Sequence, residues 1–316
     1  MLFATSLLII GLILLVYGAD RLVYSAAVLS RSLGVAPWLV GCTIVAFGTS
    51  LPELLVSVTA ALNNQIDMAV GNILGSNIIN IMLIVGGAAF IRPVTFRSDI
   101  VRRELPLLPL ITLLCGLLLA DHSLGRLDGV LLLAAGYLLI IVTISRLALH
   151  EGSDTLTREQ LAELPQDSNN TVAVLWLVLA FIIMPISARM VSDNASVLAR
   201  YFGLSDLIVG LTVLAIGTSL PELATLVAGA LKGENDIALG NVIGSNIFNS
   251  VIVLGVPALL PPGPFNPDAF ARDYWVMLVA SIILAALCLR KRRRINRLSG
   301  TLLVCGFIAY LAVLLI

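Results

Sequence analysis

Two glutamates, Glu53 and Glu222, lie in otherwise apolar stretches, each within the same heptapeptide, Gly-Thr-Ser-Leu-Pro-Glu-Leu, at 48–54 and 217–223. An ionised side chain at the centre of a bilayer costs on the order of 2.5–3.5 kcal/mol even on the lenient insertion scale, so a carboxylate kept there defaults to a functional role. Thr49 and Ser50 precede Glu53 by four and three residues, and Thr218 and Ser219 precede Glu222 likewise, a spacing that predicts two hydroxyls and a carboxylate on one helical face. Pro52 and Pro221 have no N–H, so the carbonyls of Gly48 and Gly217 lose their helical donors, and glycine also tolerates an unwound backbone. Carbonyls released within lipid must be satisfied, and a bound cation can do so.

A second polar island follows each of these. GNILGSNIIN at 71–80 recurs as GNVIGSNIFN at 240–249, and a spacing of four puts Asn72, Ser76 and Asn80 on one stripe, as it does Asn241, Ser245 and Asn249. Glycines 71, 75, 240 and 244 also suit close helix packing, which accounts for the small residues but not for the asparagines. Carboxylates, hydroxyls, amide oxygens and freed carbonyls make an all-oxygen ligand set. Such a set suits a hard ion: calcium takes about six to eight oxygens, whereas softer metals favour histidine or cysteine. Two ionised glutamates balance one Ca2+, and Na+, of similar size, fits the same cage. Empty, the two like charges repel in low dielectric, so the site is expected to cross the membrane loaded with cations or protons, the physical basis of exchange rather than leak. Glu53 and Glu222 are expected to be the only acids deep in apolar segments, and the two histidines, His122 and His150, fall in loops.

The elements that position these groups are membrane helices. Of 316 residues 59% are hydrophobic and 12% charged, and the mean hydropathy is +1.03, against about 25% charged residues in ordinary soluble domains. Apolar runs of about 20 residues, each able to cross roughly 30 Å of hydrocarbon, predict spans at 2–19, 36–61, 66–89, 103–120, 128–149, 171–191, 205–231, 236–260, 273–289 and 300–316. The expected fold is all-α, with ten transmembrane helices. The first run lacks a basic leader and a cleavage site and runs into Asp20-Arg21, so it reads as a retained helix. Cys42, Cys115, Cys288 and Cys305 sit in apolar segments at no metal-binding spacing and read as small buried hydrophobes.

With this span count, fifteen of the nineteen Lys and Arg residues fall on one side; only Arg126, Arg189, Arg200 and Arg272 fall on the other. The positive-inside rule makes the first side cytoplasmic and puts both termini outside. Arg290 to Arg297 then reads as a cytoplasmic anchor rather than a nucleic-acid site.

Sliding the chain by 169 residues aligns 34–86 with 203–255 without a gap, with 25 of 53 positions identical. Residues 1–150 and 171–316 therefore read as two five-helix repeats joined by a cytoplasmic linker at 151–170. An odd number of spans per repeat makes the second copy enter the membrane from the opposite side. Helix breaks are expected in spans 2, 3, 7 and 8, with the ion site near the midplane where the halves meet.

At these residues the chain resembles the cation/calcium exchanger superfamily, of the sodium/calcium exchanger type and its bacterial inner-membrane branch. Its paired GTSxPE and GSNxxN-like motifs appear as Gly48–Glu53 with Gly75–Asn80 and Gly217–Glu222 with Gly244–Asn249. The resemblance implies sodium-driven calcium antiport in a bacterial inner membrane. Glu53 and Glu222 would be central ligands, with Thr49, Ser50, Thr218 and Ser219 beside them. It implies further roles for Asn80, Asn249, Ser76 and Ser245 and for the carbonyls of Ala46 and Ala215, and spans 1 and 6 would slide past a more fixed core. Sodium/calcium members have an aspartate where this chain has Asn249, and the missing carboxylate leaves Ca2+/H+ or K+-assisted exchange as the alternative. The expected partners are Ca2+, Na+, H+ or K+ and the lipid bilayer, with no cofactor and no nucleic acid. A passive channel would conduct without a counter-ion gradient. An enzyme is disfavoured, because Ser50 and Ser219 have no G-x-S-x-G setting and no H-E-x-x-H occurs.

Overall fold

A computed structural model of the chain describes residues 2–35, 37–64, 66–95, 105–149, 170–201, 215–260, 263–289 and 294–315. The expected linker at 151–170 lies almost entirely outside them, as do Arg97, Arg102, Arg103, Arg158, Arg290 to Arg293 and the expected start of span 7 at 205–214. Among the described residues, six helices are long and apolar enough to cross a membrane: Phe3–Leu33, Ile66–Ile91, Asn170–Val191, Asn235–Ala258, Ala269–Leu289 and Arg297–Leu314. A seventh is the pair Gly41–Thr49 and Leu51–Leu62, bent by 49°. The remaining long elements are Leu107–Leu119, Arg126–Leu149 and Leu220–Lys232. Two antiparallel two-residue ladders, Val94–Thr95 with Arg294–Ile295 and Ser123–Leu124 with Gly263–Pro264, tie helix ends together in this all-α chain.

The first helix does not stop at Asp20-Arg21 as the hydropathy suggests but runs for 32 residues, Leu2–Leu33. Both polar residues have partners on other helices. Asp20 pairs with Lys232 at 2.9 Å, and the Arg21 guanidinium lies over the rings of Tyr17 and Trp176 at 5.4 and 5.5 Å. The helix ends where Gly34 takes a φ of +64°, a conformation that costs glycine little. Its counterpart Asn170–Tyr201 is also 32 residues long. Gly11 packs on Ser187 and Val191, Gly18 on Met184, and Val28 and Leu29 on Ala173, so the two helices run antiparallel.

The helices Ile66–Ile91 and Asn235–Ala258 are the most enclosed and form the centre of the bundle. Close backbone approach fixes one side of it. A Cβ at Gly244 would strike the backbone of Cys42, and one at Gly41 would strike the backbone of Ile237. Small-residue packing is thus real at Gly244, whereas a Cβ at Gly75 would meet only Ala215 Cβ at 3.5 Å, an ordinary contact. Gly244→Ala is expected to cost folded protein because backbone cannot yield as a side-chain tip can, an overpacking penalty of about 1–3 kcal/mol or more. Gly87→Ala, with nothing within 4 Å, is the control. Comparing melting temperatures of the purified proteins checks this; equal values would mean the helices re-space freely.

Two of the four expected breaks are present. Ser50 (φ −88°, ψ 7°) and Ser219 (φ −85°, ψ 5°) leave the helical region just before Pro52 and Pro221, which start the second half-helices. The breaks expected in spans 3 and 8 are not there. Those helices continue through π-helical turns at Ile79–Val85 and Asn249–Val253. The repeated islands contain glycine but no proline. Glycine permits unwinding without removing an N–H, so the distortion is absorbed as wider turns that keep the backbone bonded.

Candidate ion-binding site

Pro52 and Pro221 place Glu53 and Glu222 in the first turns of the half-helices Leu51–Leu62 and Leu220–Lys232. Helix N-termini favour negative charge, so each carboxylate sits where the backbone supports it. Both glutamates are fully buried, as are Thr49, Ser50, Ser76, Asn80, Ser245 and Asn249. The break at Ser50 falls between Thr49 and Glu53, and the hydroxyls bond to the other repeat. Ser50 donates to Glu222 Oε1 at 3.1 Å, and Ser219 donates to Glu53 Oε1 at 3.3 Å.

The same crosswise rule holds elsewhere in the site. Thr49 donates to Asn241 Oδ1 at 3.0 Å and lies 3.2 Å from Ser245 Oγ, while Thr218 reaches Asn72 Oδ1 at 3.4 Å. Asn72 also donates to the Glu53 carbonyl at 3.3 Å and to Ser57 Oγ at 3.0 Å, tying the half-helix Leu51–Leu62 to Ile66–Ile91. The Ala46 carbonyl accepts from the Ser50 N–H at 3.1 Å and the Thr49 hydroxyl at 3.4 Å. That of Ala215 accepts from Ser219 N–H and Thr218 Oγ1, both at 3.2 Å. Gly48 packs its Cα against the ring of Phe181, where a Cβ would not fit, whereas Gly217 is simply buried.

Buried polar atoms are ordinarily paired. Among the described residues, the atoms without a hydrogen-bond partner include Glu53 Oε2, Glu222 Oε2, Ser76 Oγ, Asn80 Oδ1 and Asn249 Oδ1. All are oxygens able to accept or coordinate, and all belong to the four repeated motifs. No cluster of three His, Cys, Asp or Glu side chains is found among the described residues, so the oxygen set consists of two carboxylates and neutral groups. A cavity of about 260 Å3 reaches from Asn63, Arg189 and Asp193 to Pro52 and Thr218, at the edge of this cluster.

Two features escaped the reading of the sequence. Asn77 and Asn246 are buried and bonded to Asn249 and Asn80, and their one visible signal was identity across the 169-residue offset. Two acids at the starts of expected spans are enclosed as well. Asp273 is buried, held by Arg272 at 2.8 Å and by Tyr310 OH at 2.9 Å, because the π-helical turn Ala269–Tyr274 carries it inward; Asp236 is buried too.

A helical membrane bundle with buried carboxylates at paired helix breaks is the architecture of a secondary ion transporter. Residues 3–146 and 172–316 match the family described as "Sodium/calcium exchanger protein", and the chain belongs to that family, within the cation/calcium exchanger superfamily. It is 58% identical to "Inner membrane protein YrbG" of Escherichia coli (strain K12), over 99% of this chain and 97% of that one. It is 30% identical to "Sodium/calcium exchanger MaX1" of Methanosarcina acetivorans, over 98% and 97% of the two chains. Among solved structures it superposes on the sodium-calcium exchanger NCX_Mj, soaked with 2.5 mM Na+ and 0.1 mM Ca2+, with a TM-score of 0.80 and 28% identity, covering 99% of this chain and 98% of that one. It is an antiporter-family transporter and not an enzyme.

Proposed function

We propose that the chain exchanges Ca2+ for Na+ across a bacterial inner membrane by alternating access, with Glu53 and Glu222 as the charged ligands of one midplane site. The observation behind this reading is that each glutamate has one oxygen bonded to a serine of the other repeat and one oxygen without a partner. The unpartnered oxygens of Ser76, Asn80 and Asn249 supply neutral ligands, Thr49 and Thr218 complete the metal cage, and Ser245 is bonded to Thr49. The carbonyls of Ala46 and Ala215 lie one turn before the breaks, and Asn72 and Asn241 orient the threonines. The membrane assignment draws on the name of the E. coli relative, and the ions on those of MaX1 and NCX_Mj.

The architecture in this reading is ten spans in two inverted repeats of five, with both termini outside and the linker cytoplasmic. The antiparallel pairing of Leu2–Leu33 with Asn170–Tyr201 and the reciprocal bonds across the 169-residue offset support it. The two faces of the bundle also differ. Lys232 is clamped on the Asp20 side chain and carbonyl, both at 2.9 Å. The positions equivalent to those two in the other repeat, Asn63 and Arg189, line the 260 Å3 cavity that reaches toward the site. A cavity reaching toward the site at one of these two equivalent places and an ion pair at the other fits one half of an alternating-access cycle.

Asn249 favours a second reading, Ca2+/H+ or K+-assisted exchange on the same glutamates, since one carboxylate fewer leaves less to hold sodium. Purified protein in calcium-loaded vesicles separates the two. An imposed sodium gradient should drive calcium flux; flux driven by a pH gradient but not by sodium gives the second reading. Calcium flux needing no counter-ion gradient would make the protein a channel.

A further inference from the structure

Four asparagines form a clasp where the helices Ile66–Ile91 and Asn235–Ala258 cross. Asn80 Nδ2 donates to Asn246 Oδ1 at 3.1 Å, and Asn249 Nδ2 donates to Asn77 Oδ1 at 3.2 Å. All four residues are at most 1% exposed, so water does not compete for these bonds. An amide has a donor end and an acceptor end, and fixing the one fixes where the other points. With their NH2 groups tied to the partner helix, Asn80 and Asn249 keep their Oδ1 atoms free of protein donors. A rotation of either amide by half a turn would present two N–H donors where a cation needs an oxygen.

The clasp is not symmetric. Asn77 is itself anchored, its Nδ2 lying 3.1 Å from Ser250 Oγ, 3.4 Å from the Asn246 carbonyl and 3.4 Å from Met277 Sδ. Asn246 Nδ2 has no partner, and the residue equivalent to Ser250 in the first repeat is Ile81. The amide of Asn249, at the position that lacks a carboxylate, is thus the more firmly oriented of the two.

We propose that Asn77 and Asn246 are positioning residues for ion exchange, holding Asn249 and Asn80 across the repeat interface with their carbonyl oxygens, rather than their NH2 groups, toward the ion. This rests on the ion-site reading above. Asn77 contributes most, because its own orientation is set by Ser250.

The test uses the full-length protein, purified and reconstituted. Asn77→Leu keeps the volume and removes the acceptor; Asn77→Asp keeps an acceptor for the Asn249 NH2. Asn77→Leu is expected to raise the KM for Ca2+ about tenfold or more with the maximal rate within about threefold, and to remove the rise in melting temperature that Ca2+ gives the wild type. Asn77→Asp should return KM to within about threefold of wild type. A purely structural role would lower the melting temperature in the absence of ions and leave KM unchanged. Unchanged KM and an intact calcium-induced shift in Asn77→Leu, or equal impairment in the two variants, would overturn the inference while leaving the transport reading in place. A wild type that shows neither calcium flux nor a calcium-induced shift would remove the transport reading and this inference with it.

Discussion

Glu53→Gln is expected to abolish exchange while leaving the protein inserted in the membrane. Glutamine has the shape of glutamate and can still accept the Ser219 hydroxyl through one oxygen. What changes is the other end: Oε2, which has no protein partner, becomes an NH2 group or must swap places with the bonded oxygen. Removing one member of a buried, paired charge costs about 3–5 kcal/mol, and at 1.4 kcal/mol per tenfold that is more than a hundredfold in affinity for the loaded state. Insertion should not suffer, since a neutral amide is cheaper than a carboxylate to bury in lipid. Glu222→Gln should behave alike, because Ser50 plays toward Glu222 the part that Ser219 plays toward Glu53. Radiocalcium uptake into vesicles, normalised to inserted protein, reads the effect. Near-normal flux in either variant would remove the site assignment.

Asn249→Asp is expected to change both affinity and electrical behaviour. In the proposed site two carboxylates balance one Ca2+ or two monovalent cations, so exchange there should run without moving net charge. A third carboxylate at 249 adds a charged ligand, and calcium affinity rises with ligand charge. The gain is offset by the lost bond from Asn249 Nδ2 to Asn77 Oδ1, which would set two acceptor oxygens against each other unless Asn77 turns over and leaves Ser250. The net expectation is a calcium KM lower by about tenfold and a flux that responds to membrane potential. A charge moved across the membrane is worth about 2.3 kcal/mol per 100 mV, so the response should be plain in potassium-clamped vesicles. Unchanged KM together with a flux insensitive to potential would mean that residue 249 does not face the ion.

The residues of the proposed ion site stand out in the sequence because lipid makes local rules strict. A carboxylate, a proline break or an apolar run within a membrane segment has few explanations, and each appears twice at a fixed offset. Glu53, Glu222, Pro52 and Pro221 could therefore be singled out from type and spacing, and the breaks at Ser50 and Ser219 follow from the missing proline donors. Breaks were expected in spans 3 and 8 as well, but those segments contain no proline at the polar islands; glycine keeps its N–H in the hydrogen-bonded ladder, and the helices instead widen at Asn80 and Asn249.

Hydropathy likewise stopped the first helix at Asp20, because it scores each residue without its partner, and the partner, Lys232, lies 212 positions away. Spacing places Ser50 three residues before Glu53 but is silent on which carboxylate its hydroxyl meets; in the folded chain it is Glu222. Composition, the apolar runs, the repeat and the candidate ligands were properties of the sequence by itself, since each is read within a few turns of helix or by comparison of the chain with itself. Which oxygen is tied and which is left without a protein partner was decided only by the tertiary structure. Every bond that settles it joins residues about 170 positions apart, and no local periodicity records which helix will lie across the way.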